Sequence, residues 1–241
     1  MDNTLRWCAD IGMWSLDRPI NDIPNTNITG SCVNRTSFCD ATCYNIKLYR
    51  MFPAMLTKDI RNEEFWQSLP TTRLHTYGTQ AHTYDHPSIE SLRKKFKNSR
   101  RQTKRVRLMT RGEGIKDKSD VQRIRILCEE FPDVIWWLPT RAWRDIELRG
   151  LIARYLMPLP NLALNASLDP TNTENEIRLL KFDGWNTMFY GDDTRTTMNE
   201  KRMFMCPKTH KKLKNHCGIC KGGCFSLSSI DRRTDVHLSQ H

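Results

Sequence analysis

From residue 105 onward the chain alternates short apolar runs with amphipathic stretches. Residues 105–109 (RVRLM) read as a strand. Residues 118–130 read as a helix with Val121, Ile124, Leu127 and Cys128 on one face. Residues 134–138 (VIWWL) predict a second strand, and 142–155 a second helix ended by the Pro158-Leu159-Pro160 break. The pattern repeats with a strand at 162–165, a helix at 174–181 that stops near Gly184, and strands at 187–190 and 202–205. Upstream, 62–69 and 87–97 predict helices, while 73–86, rich in His, Thr, Tyr and Gly, fits no element. The tail, 226–241, has little apolar content and is expected to be flexible.

Strands alternating with helices of this length imply parallel βαβ units. The number of units and the absence of a Gly-x-Gly-x-x-Gly loop favour a TIM-like (β/α) barrel, or part of one, over a dinucleotide-binding sheet. A chain of 241 residues can bury one sizeable core. The expected organisation is a barrel-like α/β core with an N-terminal cysteine loop over 1–205. A cysteine-rich C-terminal segment and flexible tail, 206–241, pack on it. No stretch approaches the roughly 18–20 apolar residues that span a bilayer. The first residues, MDNTLRWCAD, carry an acid and lack an apolar core, so neither a membrane span nor a secretory signal is expected. The expected location is a cytoplasm.

That location changes how nine cysteines are read. Reducing compartments keep thiols free, so clustered cysteines point to metal before disulfides. Cys8 and Cys128 stand alone in apolar contexts and are expected to pack as small hydrophobes. The other seven form two groups, Cys32-x6-Cys39-x3-Cys43 and Cys206-x10-Cys217-x2-Cys220-x3-Cys224. A Cys-x2-Cys pair lets two thiolates reach one metal ion or one cluster. Four cysteines could close a structural zinc site. Three suit a 4Fe–4S cluster with one iron left open, or one completed by a residue from elsewhere, and in a closed barrel the N- and C-terminal cysteines could share a site. The spacing favours iron–sulfur, with zinc as the alternative.

The charge is uneven. Residues 93–105 (RKKFKNSRRQTKR) hold eight basic residues and no acid, out of a net +11. Such a run attracts polyanions, nucleic acid first, or serves only solubility. Phe96 is its one aromatic that could stack on a base. In parallel α/β folds chemistry collects at the carboxyl ends of strands. Those ends read Arg111-Gly112-Glu113, Thr140-Arg141-x-Trp143-Arg144, Asn165-x-Ser167-x-Asp169 and Gly191-Asp192-Asp193. Together they predict a polar pocket. Arg141 and Arg144 suit a carboxylate or phosphate, and Glu113 suits an amine.

The order SLDRP, Cys32…Cys39…Cys43-Tyr44, Arg61-Asn62, RVRLMTRGEG, FPDVIWWLPTRAWRD, LPNLALNASLD and MCP…HCGICKGGCF resembles the phage family called gene product 88. The resemblance covers most of residues 13–225. It implies a virus-encoded protein, at work in the cytoplasm of the infected cell, with a barrel-like core similar to radical S-adenosylmethionine enzymes. Whether it is an enzyme the resemblance leaves open. Cys39-x3-Cys43 matches the first half of the radical-enzyme motif, but Ile46 stands at the third cysteine and Cys32 would substitute. Gly112-Glu113 is similar to the Gly-Gly-Glu end that holds the amino group of S-adenosylmethionine. Glu113, Thr140, Arg141, Asn165 and Ser167 are therefore the candidate residues for that cofactor, its substrate or both. A non-catalytic, metal-stabilised binding module that uses the basic run is the other reading.

Overall fold

The structure is a computed structural model that describes residues 5–71, 85–101, 104–192, 194–195, 197–198, 201–211, 213, 217–220, 223–225 and 235–239. A short hairpin, β1 (Arg6–Cys8) and β2 (Met13–Leu16), opens the chain. Four helices follow: α1 (Ser37–Thr42), α2 (Tyr44–Met51), α3 (Pro53–Ser68) and α4 (Pro87–Lys97). Then come β3 (Arg105–Leu108), α5 (Lys118–Glu130), β4 (Ile135–Thr140), α6 (Ile146–Tyr155), β5 (Leu162–Leu168), α7 (Glu174–Phe182) and β6 (Asn186–Tyr190). A small antiparallel pair, β7 (Thr197–Met198) and β8 (Lys201–Arg202), precedes β9 (Phe204–Met205), the one-turn α8 (Pro207–His210) and β10 (Val236–Leu238).

Side chains set the helix starts. Asp117 caps α5 by accepting from the N–H of Asp120. Thr173 and Glu176 form a reciprocal capping box on α7. Asp145 accepts from the N–H groups of Glu147 and Leu148, so the stretch expected as one helix over 142–155 divides. Ala142–Arg144 is a separate 3₁₀ turn, and α6 starts after Asp145.

The main sheet has eight strands in the order β1-β2-β3-β4-β5-β6-β10-β9, parallel throughout except for β1. The parallel α/β expectation holds, but a closed barrel is not formed among the described residues. Closure requires the first and last strands to bond to each other. Here the outer edge of β2 is taken by its antiparallel hairpin partner β1, and the opposite edge is the two-residue β9. The unbroken order from β2 to β6 still has a consequence. Right-handed crossovers of one sense put the connecting helices on one face.

On that face Trp14, Leu16, Val106, Leu108, Trp136, Leu138, Leu164 and Phe189 pack against the apolar sides of α3 to α7. Each fully buried large side chain contributes roughly 1.5–3 kcal/mol. Cys128 lies in this core, as expected for a small hydrophobe. On the opposite face the alternate positions Met13, Trp137, Ala163 and Met188 join Ile11, Cys206, Cys224 and Val236 in a second cluster. The tail expected to be flexible supplies β10, which lies between β6 and β9 with Val236 and His237 buried. That expectation is corrected for 235–239. Its physical reason is that three residues, VHL, suffice to fill a gap in an existing parallel ladder. Residues 226–234 and most of 73–86 lie outside the described residues.

Candidate metal centre

The face away from the helices carries the chemistry. Its register places Arg6 opposite Ser15, Ser15 opposite Arg107, Arg107 opposite Trp137 and Trp137 opposite Ala163. Above this row lies a cavity of about 470 Å³, and all seven grouped cysteines line it. Cys8, expected to be a core residue, is half-buried and lines it too, because it packs against the second cluster rather than the first.

The first group sits beyond the carboxyl ends of β3 and β5. Thr36 caps α1 by accepting from the N–H of Cys39 (3.1 Å) and donates to Asp169 (2.6 Å), which follows β5. Cys43 is the joint between α1 and α2, its N–H bonded to the carbonyl of Cys39. The second group is tied to the beginnings of β2 and β3. Arg105 donates to the carbonyls of Cys217 (3.0 Å) and Cys220 (2.7 Å), and the N–H of Gly218 reaches the carbonyl of Ile11 (3.0 Å). A side chain at 218 would place its Cβ 2.0 Å from the Gly12 carbonyl oxygen, so only glycine fits there.

Electrostatics sort the thiols into the same two groups. Burial, then the Glu113 carboxylate and the neighbouring Cys43 and Cys39, push the Cys32 thiol up to about 12. Burial raises Cys217 to about 11, with Arg107 pulling it down and Cys206 and Cys220 pushing it up. Cys224 is raised by burial and by Cys206, Cys217 and Cys220. Such thiols are protonated at neutral pH, so metal binding here would release protons. Among the described residues, no three His, Cys, Asp or Glu side chains are arranged to hold a single metal ion.

Of the strand-end residues, Glu113, Arg141 and Ser167 line the cavity, whereas Thr140 and Asn165 do not. The Glu113 carboxylate accepts from three backbone N–H groups: Gly114 (2.8 Å), Ile115 (3.2 Å) and Arg141 (2.8 Å). It thus clamps the end of β3 to the end of β4. Burial raises its carboxyl above the usual range, against the pull of those donors and the Thr140 hydroxyl. Gly112, at φ 80°, allows this turn; a Cβ there would meet the Ser31 hydroxyl at 2.5 Å and the Arg18 carbonyl oxygen at 2.6 Å. Thr140 accepts from the N–H of Ala142, and Arg141 pairs with Asp169 at 2.9 Å. Asn165 accepts from the Trp137 indole at 2.8 Å, and its buried amide nitrogen has no partner among the described residues. Ser167 uses its carbonyl to accept from the Trp143 indole.

The SLDRP stretch has a structural role. Arg18, fully buried, donates to both oxygens of Glu63 (2.5 and 2.8 Å) and to Asp120 (2.9 Å). Arg111 grips Asp59 with two bonds of 2.7 Å and reaches Asp17 at 2.9 Å. These pairs fasten α3 and α5 to the ends of β2 and β3.

The basic run is less free than its composition suggests. Arg93 pairs with Glu90 and Glu130, Lys104 with Asp133, and Arg101 lies over Trp7 at 4.7 Å. Phe96 is unavailable to a base, because it packs edge-on against Trp14, Phe131 and Trp136. Sequence reasoning missed Arg6, Arg107 and Trp137 as cavity residues. The signal was present in β3: charged Arg105 and Arg107 alternate with apolar Val106 and Leu108 in a central strand, where both faces are covered. No helix among the described residues is long and apolar enough to cross a membrane. A family model described as Gene product 88 matches residues 10–224. No curated protein and no solved structure matches the chain.

Proposed function

The chain belongs to the phage gene product 88 family, and from that premise we propose that it is an iron–sulfur protein whose two cysteine groups hold 4Fe–4S clusters facing one cavity, in the cytoplasm of the infected cell. One observation carries the reading: seven cysteines, distant in sequence, line a single cavity with Glu113, Arg141 and Ser167. The donor set suits such a cluster: it is all thiol and divides into three and four. A 4Fe–4S cluster held by Cys32, Cys39 and Cys43 would leave one iron without a ligand from these cysteines and would supply one-electron chemistry at the strand-end face. S-adenosylmethionine is the ligand that the family resemblance suggests for that iron. The chain's own contribution is positional. Glu113 fixes the two strand ends, its carboxylate taken by three backbone N–H groups and the Thr140 hydroxyl.

The second reading, a binding module stabilised by metal, rests on the C-terminal group. Arg105 and Gly218 stitch its backbone to the start of the sheet, as a structural zinc or cluster site would be. Protein purified without oxygen is expected to be brown and to contain iron and acid-labile sulfide. Cys39→Ser with Cys43→Ser, and separately Cys217→Ser with Cys220→Ser, are each expected to remove one cluster and leave the other. A colourless protein with zinc and no iron would sink the iron–sulfur reading. Titration of the iron-replete protein with S-adenosylmethionine tests the enzyme reading, and no heat at millimolar concentration favours the module.

A further inference from the structure

The two cysteine groups sit among charges of unlike kind. Near Cys32, Cys39 and Cys43 the cations that line the cavity are each paired with a carboxylate: Arg35 with Asp40 at 3.4 Å, Arg111 with Asp17 and Asp59, and Arg141 with Asp169 at 2.9 Å. Glu113 adds an acid there, and no positive charge in either of its forms. Around Cys206, Cys217, Cys220 and Cys224 the balance differs. Lys208 is held by Asp10 at 2.6 Å, but Arg105 and Arg107 meet no carboxylate among the described residues. Arg105 gives its donors to the carbonyls of Cys217 (3.0 Å) and Cys220 (2.7 Å) and lies 4.4 Å from the centre of the Phe225 ring. Arg107, two residues on and so on the same face of β3, lies 4.5 Å from the centre of the Trp137 ring, and its Nε is buried without a hydrogen-bond partner. The Phe225 and Trp137 rings are 5.1 Å apart. Two guanidinium groups and two rings therefore form one packed row against the chain that carries Cys217, Cys220 and Cys224. The charge of Arg107 already pulls the Cys217 and Cys224 thiols down against their burial.

Cations without carboxylate partners have a definite effect beside a metal cluster. Reduction makes the cluster one unit more negative, so a fixed positive charge stabilises the reduced form more than the oxidised form and raises the reduction potential. A structural zinc ion has no redox step to gain from such a charge. Resting on the iron–sulfur reading above, we propose that the C-terminal cysteine group holds an electron-accepting cluster rather than a structural one, with Arg105 and Arg107 as the residues whose unpaired charges hold its potential up. The step adds one electron to the cluster from a one-electron donor, which is oxidised by one, and no bond forms or breaks. Arg105 also fixes the backbone of Cys217 and Cys220. Arg107 has no such bonds, so it isolates the effect of charge.

The test is an anaerobic potentiometric titration with dithionite, read by electron paramagnetic resonance. It is run on the full chain carrying Cys39→Ser with Cys43→Ser, so that the C-terminal cluster reports alone. Adding Arg107→Met, which keeps volume against Trp137, should weaken reduction about tenfold, a fall of about 59 mV for a one-electron couple. Arg107→Gln, a second neutral variant, carries the same expectation. Arg107→Lys keeps the charge and should keep most of the potential. Arg178→Met, exposed on α7, should not move it. In the complementary chain with Cys217→Ser and Cys220→Ser, Arg107→Met should leave the potential of the first cluster in place. Iron and sulfide analysis and melting curves show which variants keep cluster and fold. Three results overturn the proposal. One is an unchanged potential in folded, iron-replete Arg107→Met or Arg107→Gln. Another is an equal fall for Arg107→Lys, which would make the effect one of packing. The third is a C-terminal group that holds zinc, or a cluster that dithionite does not reduce. Each of these leaves iron at the first group standing. Absence of iron from both groups is the separate result that removes the iron–sulfur reading, and this proposal with it.

Discussion

Two regions of this molecule hold arginines out of water, and they do so in opposite ways. Beneath α3 and α5, Arg18 is wrapped by Glu63 and Asp120, and at the cavity's edge Arg111 is held by Asp59 and Asp17, every carboxylate within 3 Å of a guanidinium. Across the sheet, Arg107 faces thiols and an indole, and no carboxylate comes to it among the described residues. The first arrangement is finished and holds elements together. The second is electrostatically incomplete among the described residues, and it borders the candidate metal centre.

Removing one arginine from each region should therefore give unlike results. Arg18→Met strands Glu63 and Asp120 in the interior and is expected to cost about 3–5 kcal/mol or to prevent folding. Arg107→Met strands nothing, and in the metal-free chain its stability should stay within about 0.5 kcal/mol of the parent. Urea denaturation of both measures the contrast. Equal losses would erase the distinction between scaffold and site.

Acid should find the first region before the second. Burial pushes Asp17, Glu63 and Asp120 up, but their guanidinium partners outweigh it and hold all three below the usual carboxylate range. A folded value below the unfolded one stabilises above the unfolded value. That contribution is full above about pH 4 and is lost as pH falls further, through the folded values. Stability should thus decline steeply below about pH 4. If Arg18→Lys folds, its acid limb should be shallower, since a point charge replaces a two-bond grip. A parent whose denaturation midpoint is flat through that range contradicts the argument.

The same contrast explains what could be read in the sequence. Helices at 87–97 and 118–130 were legible to the residue, because amphipathic period and end signals agree there. Strand β4 runs past its expected end to Thr140, through Pro139, which costs little because its ladder with β3 stops at Trp137. Cysteine spacing announced two groups, and a shared site was expected only through barrel closure; the two groups line one cavity without that closure among the described residues. The SLDRP stretch showed an aspartate and an arginine in a polar loop. Their burial depends on Asp59, Glu63 and Asp120, contributed by α3 and α5, and long-range pairing of that kind leaves no periodic trace. β10 was invisible for a similar reason: three residues make no pattern, and their partners lie 48 residues upstream at Met188.

Glu113 lies between the two regions and gives a smaller effect. Its carboxylate receives N–H groups on both oxygens, so Glu113→Gln must turn an amide nitrogen toward one of them. The expected loss is about 1–3 kcal/mol of stability, the cost of an unsatisfied buried group. Its pH sign is opposite to that of Asp17. A raised folded value means that the neutral form suits the fold, so its contribution is present below the unfolded value and fades as pH rises through the folded one. Melting curves of parent and variant should therefore differ least near neutral pH and most in mild acid, if the acid form of the parent keeps its contacts. If the variant loses S-adenosylmethionine binding with no loss of stability, Glu113 is a ligand contact and not a clamp.

The smallest effects belong to the basic run, where charge is outside and water does most of the pairing. Lys94 lies 4.0 Å from Glu90 with most of its side chain exposed, so its replacement by Ser should move stability by under about 0.5 kcal/mol. Lys95 and Arg101 do more, because they lie over Trp14 and Trp7, and each such contact is worth about 0.5–1 kcal/mol at an exposed site. Nucleic-acid binding is the property that would give this face a purpose beyond solubility. With Phe96 packed against Trp14, Phe131 and Trp136, and Arg93 and Lys104 paired, any such binding must be electrostatic and blind to sequence. Affinity for single-stranded DNA should then fall steeply with salt, and changing Lys94, Lys95, Arg100 and Arg101 together to Ser should flatten the slope by up to about three. An unchanged slope, or no binding at low salt, would leave the run as solvated charge.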